Sequence, residues 1–468
     1  MERLNPMDAQ FVDAEDEDRN ASFAIASIAI FEGPAPGYEE FYAAVEGRLP
    51  LVPIYRRKLR TVPFRLGPPV WVDDPHFDLH YHIRQTALPA PGRDQQLADL
   101  VALVMTQRLD RHFPLWEYWL VEGLSKNRWA LIAKVHHCMV DGISGADMYR
   151  VLFDLSPEPA PPVAQAPPAA AEPNGLALAA SSAADLVARP ARGAMAVASA
   201  LRRPRDTVRQ ASQTARAIAK LAGSASPAAG SSLSGPISRQ RRYTWARGSL
   251  GEVKTIKNEL GGTVNDVVLA AISSGFRALL LSRGEHPEPH MVPSLIPVST
   301  RAPGDEGVRG NQVSVMLADL PVHLTEPVER LAVVRSEMSA LKTIRAESAA
   351  EALVALGRFT PYPLASQVVR LGYRIPHEEI ATVTTNVPGP QQPLYALGRK
   401  LLELVPYVPI ATNLRTGVSI FSYCGQLTFG ITGDYATTPD IDVLARGIEH
   451  GIEELTAAVH RRRAGQSG

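Results

Sequence analysis

Apolar and polar positions recur with two different periods along this chain, and they alternate on both sides of a stretch that shows neither. Residues 22–31 are apolar and strand-like, residues 38–48 and 94–109 repeat apolar side chains at helical intervals, residues 129–137 form a second strand, and residues 147–155 a further helix. Beyond residue 240 the style returns. Val264, Val267, Val268, Ala271, Ile272, Phe276, Leu279 and Leu280 keep the helical period, with Thr263 and Asp266 spaced as a capping box at its start. Residues 291–297 read as a strand. Residues 418–423 and 427–432 flank Cys424-Gly425-Gln426 as a β-hairpin, although Cys424 stands where such turns usually carry Asp or Asn.

Between these two regions, residues 156–173 are almost all Pro, Ala, Glu and Val, which cannot nucleate a core, and a small-residue stretch from Ser224 to Ser234 closes the segment. A structureless loop of that length inside one compact domain would be unusual. The pattern therefore predicts an N-terminal half over 1–155, a crossover over 156–240 and a C-terminal half over 241–462, each half an α/β (α+β) unit.

Composition narrows the function classes. Lys plus Arg and Asp plus Glu both number 48, so the net charge is zero and nothing points to nucleic acid. Two cysteines, Cys138 and Cys424, are too few for a disulfide framework and fit a reducing compartment. The opening residues turn acidic rather than basic and apolar, unlike a secretion signal, and no run of some 18 residues is continuously apolar. The expectation is a cytoplasmic protein that meets any lipid from the surface.

The chemistry concentrates in Val135-His136-His137-Cys138-Met139-Val140-Asp141-Gly142. If the strand runs through His137, that histidine shares a face with Val135, Ala133, Leu131 and Trp129, whereas His136 lies with Lys134, Ile132 and Ala130. His137 then projects from the more apolar face at the strand end, where partial desolvation favours the neutral imidazole that a general base requires. Three other readings compete. A strand-end histidine is often structural; two histidines suggest a metal, but adjacent strand residues diverge and no Cys or Glu completes a usual spacing; Cys138 as a nucleophile paired with His137 meets the same divergence.

His-His-x-x-x-Asp-Gly is also the signature of the CoA-dependent acyltransferase superfamily, and further motifs in order make the chain resemble a bacterial wax ester synthase/diacylglycerol acyltransferase. They are Leu4-Asn5-Pro6-Met7-Asp8-Ala9-Gln10-Phe11, Phe77-Asp78-Leu79-His80-Tyr81-His82-Ile83-Arg84, the element Pro114-Leu115-Trp116, the pair Asn265-Asp266 and Asn386-Val387-Pro388-Gly389-Pro390. The resemblance implies two chloramphenicol-acetyltransferase-like halves with mixed sheets joined by the crossover. It implies transfer of a long acyl chain from acyl-CoA, a co-substrate, to diacylglycerol or a fatty alcohol, with no metal and no other cofactor. His137 would be the general base, His136 a supporting residue, Asp141 a structural carboxylate and Gly142 the turn; Arg301, in Pro297-Val298-Ser299-Thr300-Arg301, is the partner expected for Asp141. Pro114, Leu115 and Trp116 would wall an apolar acyl tunnel between the halves. Asn265 and Asp266 would lie near substrate, or simply cap a helix.

A basic helix over 205–222, with Val208, Ala211, Ala215, Ile218 and Ala222 on one side and Arg209, Arg216 and Lys220 on another, would either pack across the halves or lie on an anionic membrane or lipid droplet, on the inner face of the plasma membrane. The competing function is a condensation-like domain acting on a carrier-bound acceptor, for which no carrier module is present in these residues.

Overall fold

The computed structural model describes residues 2–142, 152–159, 161, 172–184, 231–299, 313–346 and 380–466. The first half runs β1 (Glu2–Arg3), α1 (Pro6–Glu17), β2 (Ala24–Glu32), α2 (Tyr38–Glu46), β3 (Arg57–Arg60), β4 (Val70–Asp73), α3 (Leu79–His82), β5 (Ile83–Ala87), α4 (Asp94–Thr106), β6 (Trp116–Leu124) and β7 (Arg128–His136). A short helix, Gly175–Ala184, is the part of the crossover described as regular structure. The second half runs β8 (Arg241–Ser249), α5 (Leu250–Leu260), α6 (Val264–Ser282), β9 (Pro293–Ser299), β10 (Val313–Asp319), α7 (Pro327–Ala346), β11 (Thr382–Val387), β12 (Tyr395–Ala396), β13 (Arg399–Tyr407), β14 (Thr416–Tyr423), β15 (Gln426–Asp434) and α8 (Ile441–Gln466).

Two six-stranded sheets carry the two halves, in the orders β12-β13-β2-β7-β6-β5 and β10-β9-β11-β14-β15-β8. Both are mixed. β5 pairs parallel with β6 in the first sheet, and β11 pairs parallel with β14 and β9 in the second, while the other pairings are antiparallel. The expected α/β architecture with mixed sheets therefore stands.

The division of the chain between the sheets differs from the sequence boundary. Strands β12 and β13 lie beyond residue 390, yet they complete the first sheet, with Leu404 of β13 opposite Ala29 of β2. The edge of β13 away from β2 faces the second sheet, whose side-chain hydroxyls take its carbonyls. Thr428 donates to the Leu404 oxygen, Tyr243 and Ser419 to that of Pro406, and Thr432 to that of Val408. At Gly430 the approach is closest, since a Cβ there would lie 1.7 Å from the Pro406 oxygen. A strand edge that would otherwise need water is thus satisfied by the partner half.

In the second half, α6 has the capping box read from Thr263 and Asp266: the Asp266 N–H donates to Thr263 Oγ1 at 3.3 Å and the Thr263 N–H to Asp266 Oδ2 at 2.8 Å. This helix is long and apolar enough to cross a membrane, but 72% of its most apolar window is buried in the core. It packs against α8 at small residues, where a Cβ on Gly275 would meet the Leu444 carbonyl at 2.8 Å.

One predicted helix end is corrected. The helix expected over 147–155 lies partly outside the described residues, and its end is not helical. Asp154 bridges through its backbone to Tyr395 of β12, and its carboxylate takes two bonds from Arg48 at 2.7 and 2.8 Å, a buried ion pair that holds the same residue just past the end of α2. The basic segment 205–222 lies outside the described residues.

Candidate active site

Strand β7 ends at His136, one residue earlier than its hydrophobic pattern suggests, and His137 opens a 3-10 turn, His137–Gly142. The two-face alternation therefore does not extend to His137. Nor is the face of Lys134 and His136 solvated, since every residue of β7 after Arg128 is buried. Lys134 is only 1% exposed because its ammonium caps helix α4, donating to the carbonyls of Val104 at 2.8 Å and Gln107 at 2.6 Å. Burial brings its pKa down to about 8.

Helix α1 covers the histidine pair. Its N-cap is Asn5, which accepts from the Asp8 N–H at 2.9 Å and donates to the Asp8 carboxylate at 2.6 Å, with Pro6 at the first helical position. Asp8, Phe11 and Glu15 fall three and four residues apart, on one face of the helix. Phe11 lies over the His137 ring with centroids 4.1 Å apart, and packs with Phe23 in a small cluster that includes Ala14 and Ala411. The Glu15 carboxylate sits 3.6 Å from His136 Nε2, both side chains being 2% exposed. Arg111 reaches the same Glu15 oxygen at 2.8 Å and Asp16 at 2.6 Å.

His137 keeps part of its surface accessible but is deeply enclosed. Desolvation, reinforced by the neighbouring His136, brings its pKa from 6.5 to about 4, with a weaker opposing pull from its own backbone carbonyl. Its N–H donates to the Phe23 oxygen at 2.9 Å, and its buried Nδ1 has no hydrogen-bond partner among the described residues. The expected neutral imidazole is present, then, through enclosure by α1 and the turn rather than through projection from an apolar strand face.

His136 is turned the other way. The Cys138 N–H donates to its Nδ1 at 3.2 Å, with Cys138 Sγ 3.0 Å from the same nitrogen. Burial and the nearby Asp8 carboxylate raise the Cys138 thiol well above its ordinary value, so it stays protonated and is no nucleophile. Burial by itself would raise the Glu15 pKa, yet His136 and Arg111 lower it to about 2.

The other site residues fall into two places. Pro114, Leu115 and Trp116 are all buried beside the end of β7. The Leu115 oxygen accepts the His136 N–H at 2.9 Å. Trp116 donates to the Tyr55 oxygen at 2.8 Å and stacks between Tyr55 and His82. These residues support the histidine pair from behind. Asn265 and Asp266 belong to the second half, where Asp266 caps α6 and Asn265 Oδ1 accepts from Asn386 Nδ2 at 3.2 Å, joining the Asn-Asp pair to the start of the Asn-Val-Pro-Gly element. Asp141 and Gly142 close the 3-10 turn, but the Asp141 side chain and Arg301 lie outside the described residues, and with them their expected pairing. A polar cleft between the halves is lined by Arg93, Asp94, Arg128, Arg247 and Glu403. It adjoins the first residue of β7, the end opposite His137, and is not the apolar tunnel expected from the sequence.

Sequence reasoning quoted Asp8 and Phe11 without giving them a task and passed over Glu15 and Arg111. The signal was there: Asn5-Pro6 with Asp8 is a helix start, and Phe11 and Glu15 follow at helical spacing on its face.

Comparison with known proteins follows the same lines. Residues 4–268 match the family described as wax ester synthase/diacylglycerol acyltransferase catalytic domain, and residues 309–456 match the family's C-terminal domain. A Mycobacterium tuberculosis protein named "probable diacyglycerol O-acyltransferase tgs1" is 40% identical, over 99% of this chain and 97% of that one. The solved wax ester synthase/diacylglycerol acyltransferase from Marinobacter aquaeolei VT8 is 26% identical with a TM-score of 0.70, covering 98% of this chain and all of the other. The first condensation domain of a calcium-dependent antibiotic synthetase shares the fold alone, at 14% identity and a TM-score of 0.59, over 96% of each chain.

Proposed function

The chain belongs to the wax ester synthase/diacylglycerol acyltransferase family, and from that premise we propose that it makes triacylglycerol from 1,2-diacylglycerol and long-chain acyl-CoA, with wax esters from fatty alcohols as a second product of the same site. The observation that carries the reading is His137, a neutral imidazole with a pKa near 4, partly open to solvent and held under Phe11. A neutral imidazole offers one ring nitrogen with a free lone pair to the acceptor hydroxyl.

His137 takes the proton of the acceptor hydroxyl, and the oxygen attacks the thioester carbonyl carbon. The tetrahedral oxyanion collapses, the carbon–sulfur bond breaks, and the CoA thiolate recovers the proton from the imidazolium. Ester and free CoA leave, with acyl-CoA as the co-substrate and no other cofactor in the sequence of steps. The oxyanion needs hydrogen-bond donors as it forms. Pro114, Leu115 and Trp116 act by packing behind His136, and Asp266 and Asn265 by ordering the start of α6 and its link to Asn386. Asp141 serves the turn that presents His137.

The same reading places the protein in the cytoplasm and brings it to the inner face of the plasma membrane or a lipid droplet, because diacylglycerol resides in a lipid phase. A condensation-like reaction on a carrier-bound acceptor is the lesser reading, supported by fold alone. The test is to incubate the purified protein with labelled palmitoyl-CoA and a mixture of diacylglycerol and hexadecanol and to resolve the products. Labelled triacylglycerol as the main product is expected; wax ester alone, or transfer only from a carrier protein, would refute the assignment.

A further inference from the structure

We infer that Glu15 is a positioning residue for the acyl transfer: its buried carboxylate fixes the Nε2–H tautomer of His136, and that tautomer in turn holds the turn that presents His137. The inference rests on the proposed role of His137 as base.

The geometry leaves His136 one consistent protonation pattern. Two donors converge on its Nδ1, the Cys138 N–H at 3.2 Å and the Cys138 thiol, whose Sγ lies 3.0 Å away. A nitrogen facing two donors must offer its lone pair, so the ring proton belongs on Nε2. Nε2 is buried and faces the Glu15 carboxylate at 3.6 Å. At that separation no hydrogen bond is formed, and Nε2 has no other partner among the described residues, so the Glu15 carboxylate is the acceptor it faces. The carboxylate is kept ionised by His136 and by Arg111, which lies 2.8 Å from the same Oε2.

The second link runs through Phe23. Its N–H donates to Glu15 Oε1 at 3.1 Å, and its carbonyl accepts the His137 N–H at 2.9 Å. One residue of the first half thus ties the carboxylate to the backbone of the base. If Glu15 is lost, the proton of His136 can move to Nδ1, where it would oppose the Cys138 N–H and break the side-chain bond that holds this N–H at the start of the 3-10 turn. His137 starts that turn, so its ring direction changes with it. Glu15 touches no substrate in this scheme and acts only through His136 and Phe23.

The experiment combines a spectroscopic and a kinetic readout. The protein is labelled with 15N-histidine, and long-range proton–nitrogen spectra identify the tautomer of His136, assigned by the signal lost in His136→Gln. Wild type should show the Nε2–H pattern. In Glu15→Ala the pattern should move to Nδ1–H or average between the two, and kcat should fall roughly tenfold to a hundredfold, the scale of a misaligned catalytic group, while KM for acyl-CoA changes little. Glu15→Asp, which keeps an acceptor carboxylate, should restore the tautomer and part of the rate. An Nδ1–H pattern in wild-type His136 overturns the inference without any Glu15 variant having to fold, and so does an unchanged Nε2–H pattern or unchanged kcat in Glu15→Ala. Failure of the wild-type product assay would instead overturn the acyltransferase assignment and leave the tautomer result standing.

Discussion

The ring of Phe11 lies over the imidazole of His137, centroids 4.1 Å apart and planes inclined by 35°. A phenyl ring in that place excludes water from one side of the base and limits its rotation. Desolvation is the first cause of the low pKa of His137, so removing the ring should undo part of it. In Phe11→Ala the acidic limb of the kcat/KM–pH profile should move up from about 4 towards 6.5. A limb that stays in place would show that the turn alone desolvates His137.

His137→Ala should lower turnover by roughly 10²–10⁴-fold, the usual loss for a general base. The sequence alone suggested that His136→Ala would be the milder change, because that side chain was assigned to the more polar strand face. That expectation concerned activity; the burial of His136 between Glu15 and Cys138 adds a stability cost of about 1–3 kcal/mol for His136→Ala, as an ionised carboxylate loses one of its neighbours. Urea unfolding and turnover measured on both variants check this. A fully stable His136→Ala protein would contradict the buried network.

Acid should destabilise the fold in two stages. His82, stacked between Phe77 and Trp116 and fully buried, shares with His137 a pKa brought from 6.5 to about 4, chiefly by desolvation. An unfolded chain binds both protons below 6.5 and the native state does not, so the stability these groups permit is complete above that value and is lost as the pH falls from 6.5 to 4. Each contributes about 3 kcal/mol over that window, by the energy of a unit shift in pKa. Glu15 acts later, since its depressed pKa places its loss between 4.5 and about 2. Unfolding free energy followed by denaturant from pH 7 to pH 4 should fall steeply, and His82→Phe should flatten the slope.

The seam between the sheets predicts a larger penalty than its few bonds suggest. Thr432 is fully buried and satisfies the Val408 carbonyl. Thr432→Val keeps the shape, removes the donor and should cost about 1–3 kcal/mol. Gly430→Ala should cost more, because its Cβ would collide with the Pro406 oxygen. Denaturant midpoints at constant slope measure both; a neutral Thr432→Val would mean that the Val408 oxygen finds another donor.

Long elements with one strong period were legible in the sequence. The α6 helix and its capping box, the β14–β15 hairpin and strand β7 all appear within a residue or two of expectation. Even the hairpin turn forms with Cys424 at a φ of 44°. What was not legible depends on contacts distant in sequence. No local pattern says that β13 leaves its own half to pair with β2. The strand pattern placed Lys134 on the face of His136 but could not say that it is buried, which the end of α4 explains. At the site, local chemistry found the histidines, while the carboxylate that orients one of them lies 121 residues earlier, across the sheet.

The hydroxyl seam also has a bearing on how such a protein can vary. A continuous backbone ladder ties two bodies together all at once, whereas here each joint is a single Thr, Ser or Tyr side chain meeting a single carbonyl of β13. Each joint can be exchanged by one codon, at the cost of leaving a buried carbonyl of β13 without that donor. The fit between the sheets is therefore set one side chain at a time, while each sheet keeps its own backbone ladder.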